Sequence, residues 1–197
     1  MTDITTTGGR RVLVLNGHPS RGSLCAALAE EAAKAAGETG AEVRMRHLED
    51  MTFDPDLTEG YRARKDLEPD LVAFQQDLTW CTTLVLVHPL WWGGPPAKLK
   101  GLFDRALLPG FAFAYVEGKP LPVKLLAGRT ARVLVTTDTP VWFLWLVYRN
   151  AWLGALRRQI LDFTGLKVTM MKAVGPIRGA RPGADKGWFA AARRLAG

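Results

Sequence analysis

The run His88-Pro89-Leu90-Trp91-Trp92-Gly93-Gly94-Pro95-Pro96-Ala97 is where this chain is best equipped to do chemistry. It follows the apolar Leu84-Val85-Leu86-Val87, so two adjacent tryptophans leave a buried strand and enter a turn shaped by glycine and proline. Successive side chains on a strand point to opposite faces, so Trp91 and Trp92 cannot both enter one core. The reading is that one caps the core while the other stands exposed at the strand's carboxyl end. A flat aromatic wall beside flexible backbone suits a flat ligand, such as a flavin ring or a quinone.

A second stretch, Gly17-His18-Pro19-Ser20-Arg21-Gly22-Ser23-Leu24, is equipped to hold an anion. Ser23 stands where a helix N-cap belongs. A helix start offers unpaired N–H groups and a positive dipole end, which together accept phosphate. Ser20, Ser23, Arg21 and His18 surround that position, and Ser23 serves both as cap and as phosphate contact. The loop is neither the dinucleotide fingerprint GxGxxG nor the Walker loop GxxxxGK(S/T).

Other chemistries find little support. No group of His, Cys and acidic residues has metal-ligand spacing, and no Ser-His-Asp arrangement is legible; Gly22-Ser23 is not a nucleophile elbow. His47 reads as structural, and His88 as facing the core or a subunit contact. The two cysteines, Cys25 and Cys81, form no disulfide framework and fit a reducing cytoplasm. The net charge is +7, but the basic residues are scattered, which excludes a nucleic-acid arm and favours steering of anionic ligands. The apolar windows near 83–91 and 141–153 are too short and interrupted to insert into a membrane. Residues 1–10 are polar, read as a flexible start, and lack the form of a signal peptide.

The elements that must position these loops alternate along 197 residues. Val12-Leu13-Val14-Leu15-Asn16 reads as a buried strand, and Leu24 to Ala36 as an alanine-rich helix. Glu42 to Leu48 alternates polar and apolar, as a strand near a sheet edge would. Glu49 to Glu68 is a long connection, after which Pro69 opens a helix through Thr79. Leu84 to His88 is the third strand, Pro96 to Leu107 a helix, and 109–128 an excursion punctuated by proline and glycine. Arg132 to Thr136 is the fourth strand, and Trp142 to Phe163 is helical with breaks, ended by Gly165. Val168 to Val174 and Asp185 to Leu195 close the chain as strand and helix. Five strands alternating with helices predict an α/β three-layer sandwich, a flavodoxin-like parallel sheet of order 2-1-3-4-5, in a single domain over 1–197. Its ligand belongs at the switch point between the first and third strands.

Together, His18-Pro19 with Ser23, the block from Pro89 to Arg105, and Gly110-Phe111-Ala112-Phe113-Ala114-Tyr115 resemble the NAD(P)H:quinone oxidoreductase family, which includes DT-diaphorase and the modulators of drug activity. The resemblance covers roughly residues 11 to 175. It implies that His18, Ser20, Ser23, Leu24 and Cys25 lie near a flavin phosphate or pyrophosphate, with Cys25 where the family usually has asparagine. It implies that Pro89, Leu90, Trp91, Trp92 and Gly93 line the flavin ring. Thr137, Asp138 and Thr139 fall where the family often has Thr-Thr-Gly-Gly. Asp138 there either narrows the pocket and disfavours an anionic reduced ring, or points away and fixes the turn.

The activity the resemblance implies is two-electron transfer of hydride from NAD(P)H through flavin N5 to a quinone or similar planar acceptor, with ping-pong kinetics. Trp91, Phe111, Phe113 and Trp142 would bind substrate. The histidine of the mammalian charge relay has no counterpart, leaving Tyr148, or Arg149, as the catalytic substitute. The third-loop block favours FAD, with FMN the alternative; NADH against NADPH stays open. A homodimer with the flavin site at its interface is implied. Alternatives are an ancillary flavoprotein subunit of a membrane transport partner, drawn from the Trp142-Phe143-Leu144-Trp145 patch, and a reductase of an aromatic or azo metabolite.

Overall fold

A computed structural model describes residues 9–60, 62–63, 65–118 and 120–197. The expected flexible start at 1–10 falls largely on residues 1–8, outside the described residues. Apolar runs buried on both faces make the central strands. They are β1 (Arg11–Asn16), β3 (Thr83–Pro89) and β6 (Arg129–Thr136), flanked by β2 (Glu42–His47) and β7 (Leu166–Val174). All pairings in this sheet are parallel, in the order β2-β1-β3-β6-β7. The short strands β4 (Phe113–Ala114) and β5 (Val123–Lys124) form a separate antiparallel ribbon. Counting sheet strands alone, the order is the 2-1-3-4-5 read from the sequence.

Alternation along β3 divides the core. Leu84 and Leu86 point to the side covered by α2 (Pro69–Trp80) and α3 (Ala97–Ala106), among Leu71, Phe74, Leu99 and Leu102. Val85 and Val87 point to α1 (Leu24–Glu38) and α7 (Ala184–Arg194), among Leu28, Ala29, Ala32, Ala191 and Leu195. The alanine-rich face of α1 lets it lie close to both the sheet and α7.

The helical stretch after β6 is broken more sharply than its periodicity shows. It comprises α4 (Val141–Leu146), a reversal at left-handed Arg149 and Asn150, α5 (Ala151–Ala155), a π-helical turn over Leu156–Leu161 and α6 (Asp162–Thr164). Gly165 ends it at φ 105°, where a Cβ would lie 2.5 Å from the Ala127 nitrogen. The connection 49–68 is pinned by fully buried Arg105, which donates to the Asp54 carbonyl at 2.6 Å, the Asp66 carbonyl at 2.8 Å and the Glu68 carboxylate at 2.8 Å.

Candidate active site

Three loops meet at the carboxyl ends of β1, β3 and β6. Gly17 begins the first, pressed so closely on its neighbours that a Cβ would meet Leu99 Cδ2 at 2.7 Å and His88 Cβ at 3.0 Å. The loop then holds its shape by a relay of hydrogen bonds. Asn16 Oδ1 accepts from the His18 amide at 3.1 Å, His18 Nδ1 accepts from the Ser20 amide at 3.0 Å, and the Ser20 carbonyl accepts from Ser23 Oγ at 2.8 Å. Ser23 caps α1 by accepting from the Ala26 amide at 3.2 Å. The next amides of the first turn, Leu24 and Cys25, have no intrahelical acceptor and are free for an anion. Burial holds the His18 imidazole below its ordinary pKa, partly opposed by a hydrogen bond to the Ser20 carbonyl and by the Glu49 carboxylate.

Arg21 does not face the anion position as a free cation. Its guanidinium pairs with Asp50 and its amide donates to Glu49, in the turn after β2. Cys25 also differs from the expected polar contact. Its side chain is buried against Thr136 Oγ1 at 3.1 Å, and burial pushes the thiol up to about 11, so only its backbone amide is available to an anion.

The second loop exposes both tryptophans, correcting the expectation that one would cap the core. Trp91 and Gly94 bond amide to carbonyl in both directions at 2.9 Å, turning the chain back before either indole reaches the interior. Trp91 is 45% exposed and meets His18 edge-on at 5.2 Å between ring centroids. Trp92 adopts left-handed φ 50° and is fully exposed.

In the third loop, the Asp138 carboxylate turns toward the chain after β7. It accepts from the Arg178 amide at 2.7 Å, while Thr137 exchanges backbone bonds with Val174 and Ile177. Asp138 therefore fixes the turn while also lining the cleft. Thr137 Oγ1 accepts from the Thr139 amide at 3.0 Å.

His18, Ser23, Leu24, Cys25, Pro89, Leu90, Trp91, Thr137 and Asp138 come together around one small cleft, joined by Thr136 and Ile177. A second cavity of about 510 Å³ lies beyond Leu90, which lines both. Trp92, Gly93, Thr139 and Tyr148 line it, with Leu144, Asn150, Ala151, Trp152 and Leu153. The expected site residues therefore divide between a polar cradle and an apolar slot. Ser20 shapes the first loop through its backbone and is absent from either lining. Trp142 is exposed on α4 against Phe143. Phe113 lies in an apolar groove with Phe103, Tyr115 and Phe163, and Phe111 borders a depression against the 49–68 connection. Within one chain neither reaches the slot.

The sequence reading missed Ile177, Asn150 and Trp152. A loop after the last strand must end on the same sheet edge as the others, which was the available signal for Ile177. Trp152 sits in the apolar run after α4 and meets buried His88 edge-on at 6.2 Å. His88 Nδ1 donates to the Pro89 carbonyl at 2.8 Å, so Nε2 carries only a lone pair. Neither Nε2 nor Trp152 Nε1 has a hydrogen-bond partner among the described residues.

The residues present suit a flavin. Free amides and a helix dipole face the place for its phosphate, and a loop with two exposed aromatics and a left-handed turn faces the place for its ring.

Comparison with known proteins agrees. The family model described as Flavodoxin-like fold matches residues 10–194. The chain is 36% identical over 126 residues to NAD(P)H dehydrogenase (quinone) 1 of Rattus norvegicus, covering 54% of this chain and 46% of that protein. It is 34% identical over 133 residues to an uncharacterized NAD(P)H oxidoreductase of Haemophilus influenzae, covering 66% of this chain and 65% of the relative. The chain thus spans less than two thirds of the length of these relatives. The solved structure of an NAD(P)H:quinone oxidoreductase from Methanothermobacter marburgensis superposes with a TM-score of 0.78 at 24% identity, covering 96% of this chain and 98% of that one, a likeness of fold. The chain belongs to the flavodoxin-like fold family, and the resemblance to the quinone oxidoreductases read from its loops is borne out.

Proposed function

We propose that this chain, as a single flavodoxin-like domain, is a flavin-dependent NAD(P)H:quinone oxidoreductase that passes two electrons as hydride to a quinone or similar planar acceptor. The observation that carries the reading is the shared Leu90 wall, which sets an anion cradle directly beside an apolar, aromatic-edged slot. A bound flavin supplies the hydride-accepting and hydride-donating ring; the chain supplies position and electrostatics.

The amides of Leu24 and Cys25, with the α1 dipole, neutralise the phosphate or pyrophosphate. His18, which lines the same cleft, would hydrogen-bond the same group through its ring. Pro89 to Gly93 and Thr137 to Thr139 bracket the ring. Trp92, Leu144, Tyr148, Trp152 and Leu153 give the slot its aromatic and apolar walls, and its volume of about 510 Å³ suits one planar substrate at a time. Tyr148 lines that slot, which supports its phenol as the group that would hydrogen-bond an acceptor oxygen. Donor and acceptor must then take turns, which gives parallel initial-velocity lines.

We read the cofactor as FAD, on the likeness of the third-loop block to the FAD-using branch, and the protein as a homodimer. The groove of about 470 Å³ that holds Phe113 and the exposed Tyr115 supports a subunit contact there. Phe111 and Phe113 could serve a slot only across such a contact. The two buried free thiols, Cys25 and Cys81, fit the cytoplasm. No helix among the described residues is long and apolar enough to cross a membrane.

The deciding experiment is the visible spectrum of the purified protein, followed by chromatography of the heat-released chromophore. A yellow protein releasing FAD that oxidises NADH or NADPH with a quinone supports the whole reading. Release of FMN overturns the cofactor assignment alone, and a colourless protein that takes up no added flavin overturns the redox function.

A further inference from the structure

The chain carries a net charge of +7, yet its candidate site is not lined by cations. Among the described residues that line the cleft and the slot there is no lysine and no arginine, and Asp138 is the one carboxylate. Arg21 of the first loop pairs with Asp50, outside both linings. The other titratable side chains of the linings are His18, Cys25 and Tyr148. Burial pushes the Cys25 thiol up to about 11 and disfavours a cation at His18. The backbone fixes where the Asp138 carboxylate stands. Thr137, before it, donates its amide to the Val174 carbonyl and accepts from the Ile177 amide, both at 3.0 Å. Thr139, after it, lines the slot, so Asp138 stands where cleft and slot adjoin. Its Oδ1 accepts from the Arg178 amide at 2.7 Å. The Arg178 guanidinium lies 3.9 Å from Oδ2, but that side chain is 90% exposed, so water screens the pair. Accepting one amide needs no charge, because asparagine or serine does the same.

We propose that the Asp138 carboxylate holds the bound flavin at a potential below that of the free cofactor, by disfavouring negative charge on the reduced ring. This rests on the flavin reading above. Hydride from NAD(P)H brings the ring two electrons and one proton, and the nicotinamide leaves oxidised with one more positive charge. The ring gains one negative charge, which stays on it or is discharged by a second proton taken from water. A carboxylate lining the same cleft raises the cost of the charged form, and the apolar walls of the slot do little to screen it. No lysine or arginine of the linings offsets it. The oxidised ring is neutral and escapes this penalty. Oxidised flavin is therefore held more tightly than reduced flavin, which by linkage lowers the potential. A ring held so is the stronger hydride donor toward an uncharged planar acceptor.

Its test is the two-electron potential of the full chain loaded with flavin, equilibrated with a reference dye beside the free cofactor at neutral pH. The parent should lie below the free cofactor. Asp138→Asn keeps an oxygen for the Arg178 amide and removes the charge. It should favour reduced over oxidised flavin by about tenfold, a rise of about 30 mV for a two-electron couple. Asp138→Glu keeps the charge and should stay near the parent. Far-UV circular dichroism checks folding, and Asp138→Ser decides the matter should the asparagine variant unfold. A parent potential at or above that of the free cofactor overturns the proposal. So does a potential that neither uncharged variant moves, or one that glutamate raises as far as asparagine does; each leaves Asp138 as a turn residue and the flavin reading intact. A chain that takes up no flavin overturns both.

Discussion

His88→Phe is expected to remove most of the acid sensitivity of this fold. His88 is fully buried at the end of β3, with Nδ1–H committed to the Pro89 carbonyl and Nε2 facing no donor among the described residues. Burial pushes its pKa down to about 4, from an ordinary 6.5, against a small opposing pull from the Pro89 carbonyl. Between those values the unfolded chain binds a proton that the folded chain refuses. Stability is therefore fully present above 6.5 and is lost as pH falls toward 4. At about 1.4 kcal/mol per pH unit, the gap amounts to about 3 kcal/mol, a large share of the roughly 5–15 kcal/mol that holds a domain together. Phenylalanine keeps the ring against Trp152 and cannot take a proton. It forfeits one hydrogen bond, worth about 1 kcal/mol near neutrality. Urea titrations followed by circular dichroism at about pH 7.5 and about pH 4.5 give the stability of each protein at each pH. Carboxylates titrating in that range are common to both proteins and cancel in the difference. The variant should lose about 2–3 kcal/mol less than the parent on acidification. Parallel losses would show that His88 is already protonated in the fold, and would refute the reasoning.

Ser23→Ala should cost about 1 kcal/mol through the lost cap, lowering Tm by about 2–4 °C. Flavin affinity should fall less than about tenfold, because the hydroxyl proton is already given to the Ser20 carbonyl; a hundredfold loss in a flavin titration would make the hydroxyl a direct ligand. Arg105→Met strands two carbonyls and the Glu68 carboxylate, and is expected to destabilise by about 3–5 kcal/mol in urea. A loss under about 1 kcal/mol would show the 49–68 connection to be held otherwise. Gly165→Ala forces a Cβ against the Ala127 backbone at positive φ, and should cost more than about 2 kcal/mol by the same titration.

The sheet was legible because its central strands are buried on both faces, so Val12–Leu15 and Leu84–Val87 read as unbroken apolar runs, while Glu42–His47 alternates as an edge strand does. The cradle was legible because its parts are local: a cap, a helix start and a loop between them. What stayed hidden depends on contacts across the chain or on unusual backbone. Cys25 reads as a phosphate neighbour until Thr136, 111 residues away, takes its thiol. Trp92 and Arg149 adopt a left-handed conformation that sequence assigns to glycine or asparagine, so neither the exposure of both tryptophans nor the reversal after α4 could be read beforehand. Phe111 and Phe113 match the family's motif, yet their positions in one chain follow from how the β4–β5 ribbon folds over α3 and α6.

The relay through Asn16, His18, Ser20 and Ser23, closed by Arg21 on Glu49 and Asp50, has a consequence for how a ligand is met. The loop's conformational entropy is surrendered when the chain folds rather than when an anion arrives, so binding draws on a preorganised receptor with little freedom left to lose. Association should then resemble docking to a rigid surface, with affinity differences expressed in dissociation. Glu49 and Asp50, which lie outside the lining of the cleft and belong to a different crossover, become remote determinants of residence time: loosening them restores disorder to the loop and shortens the life of the complex.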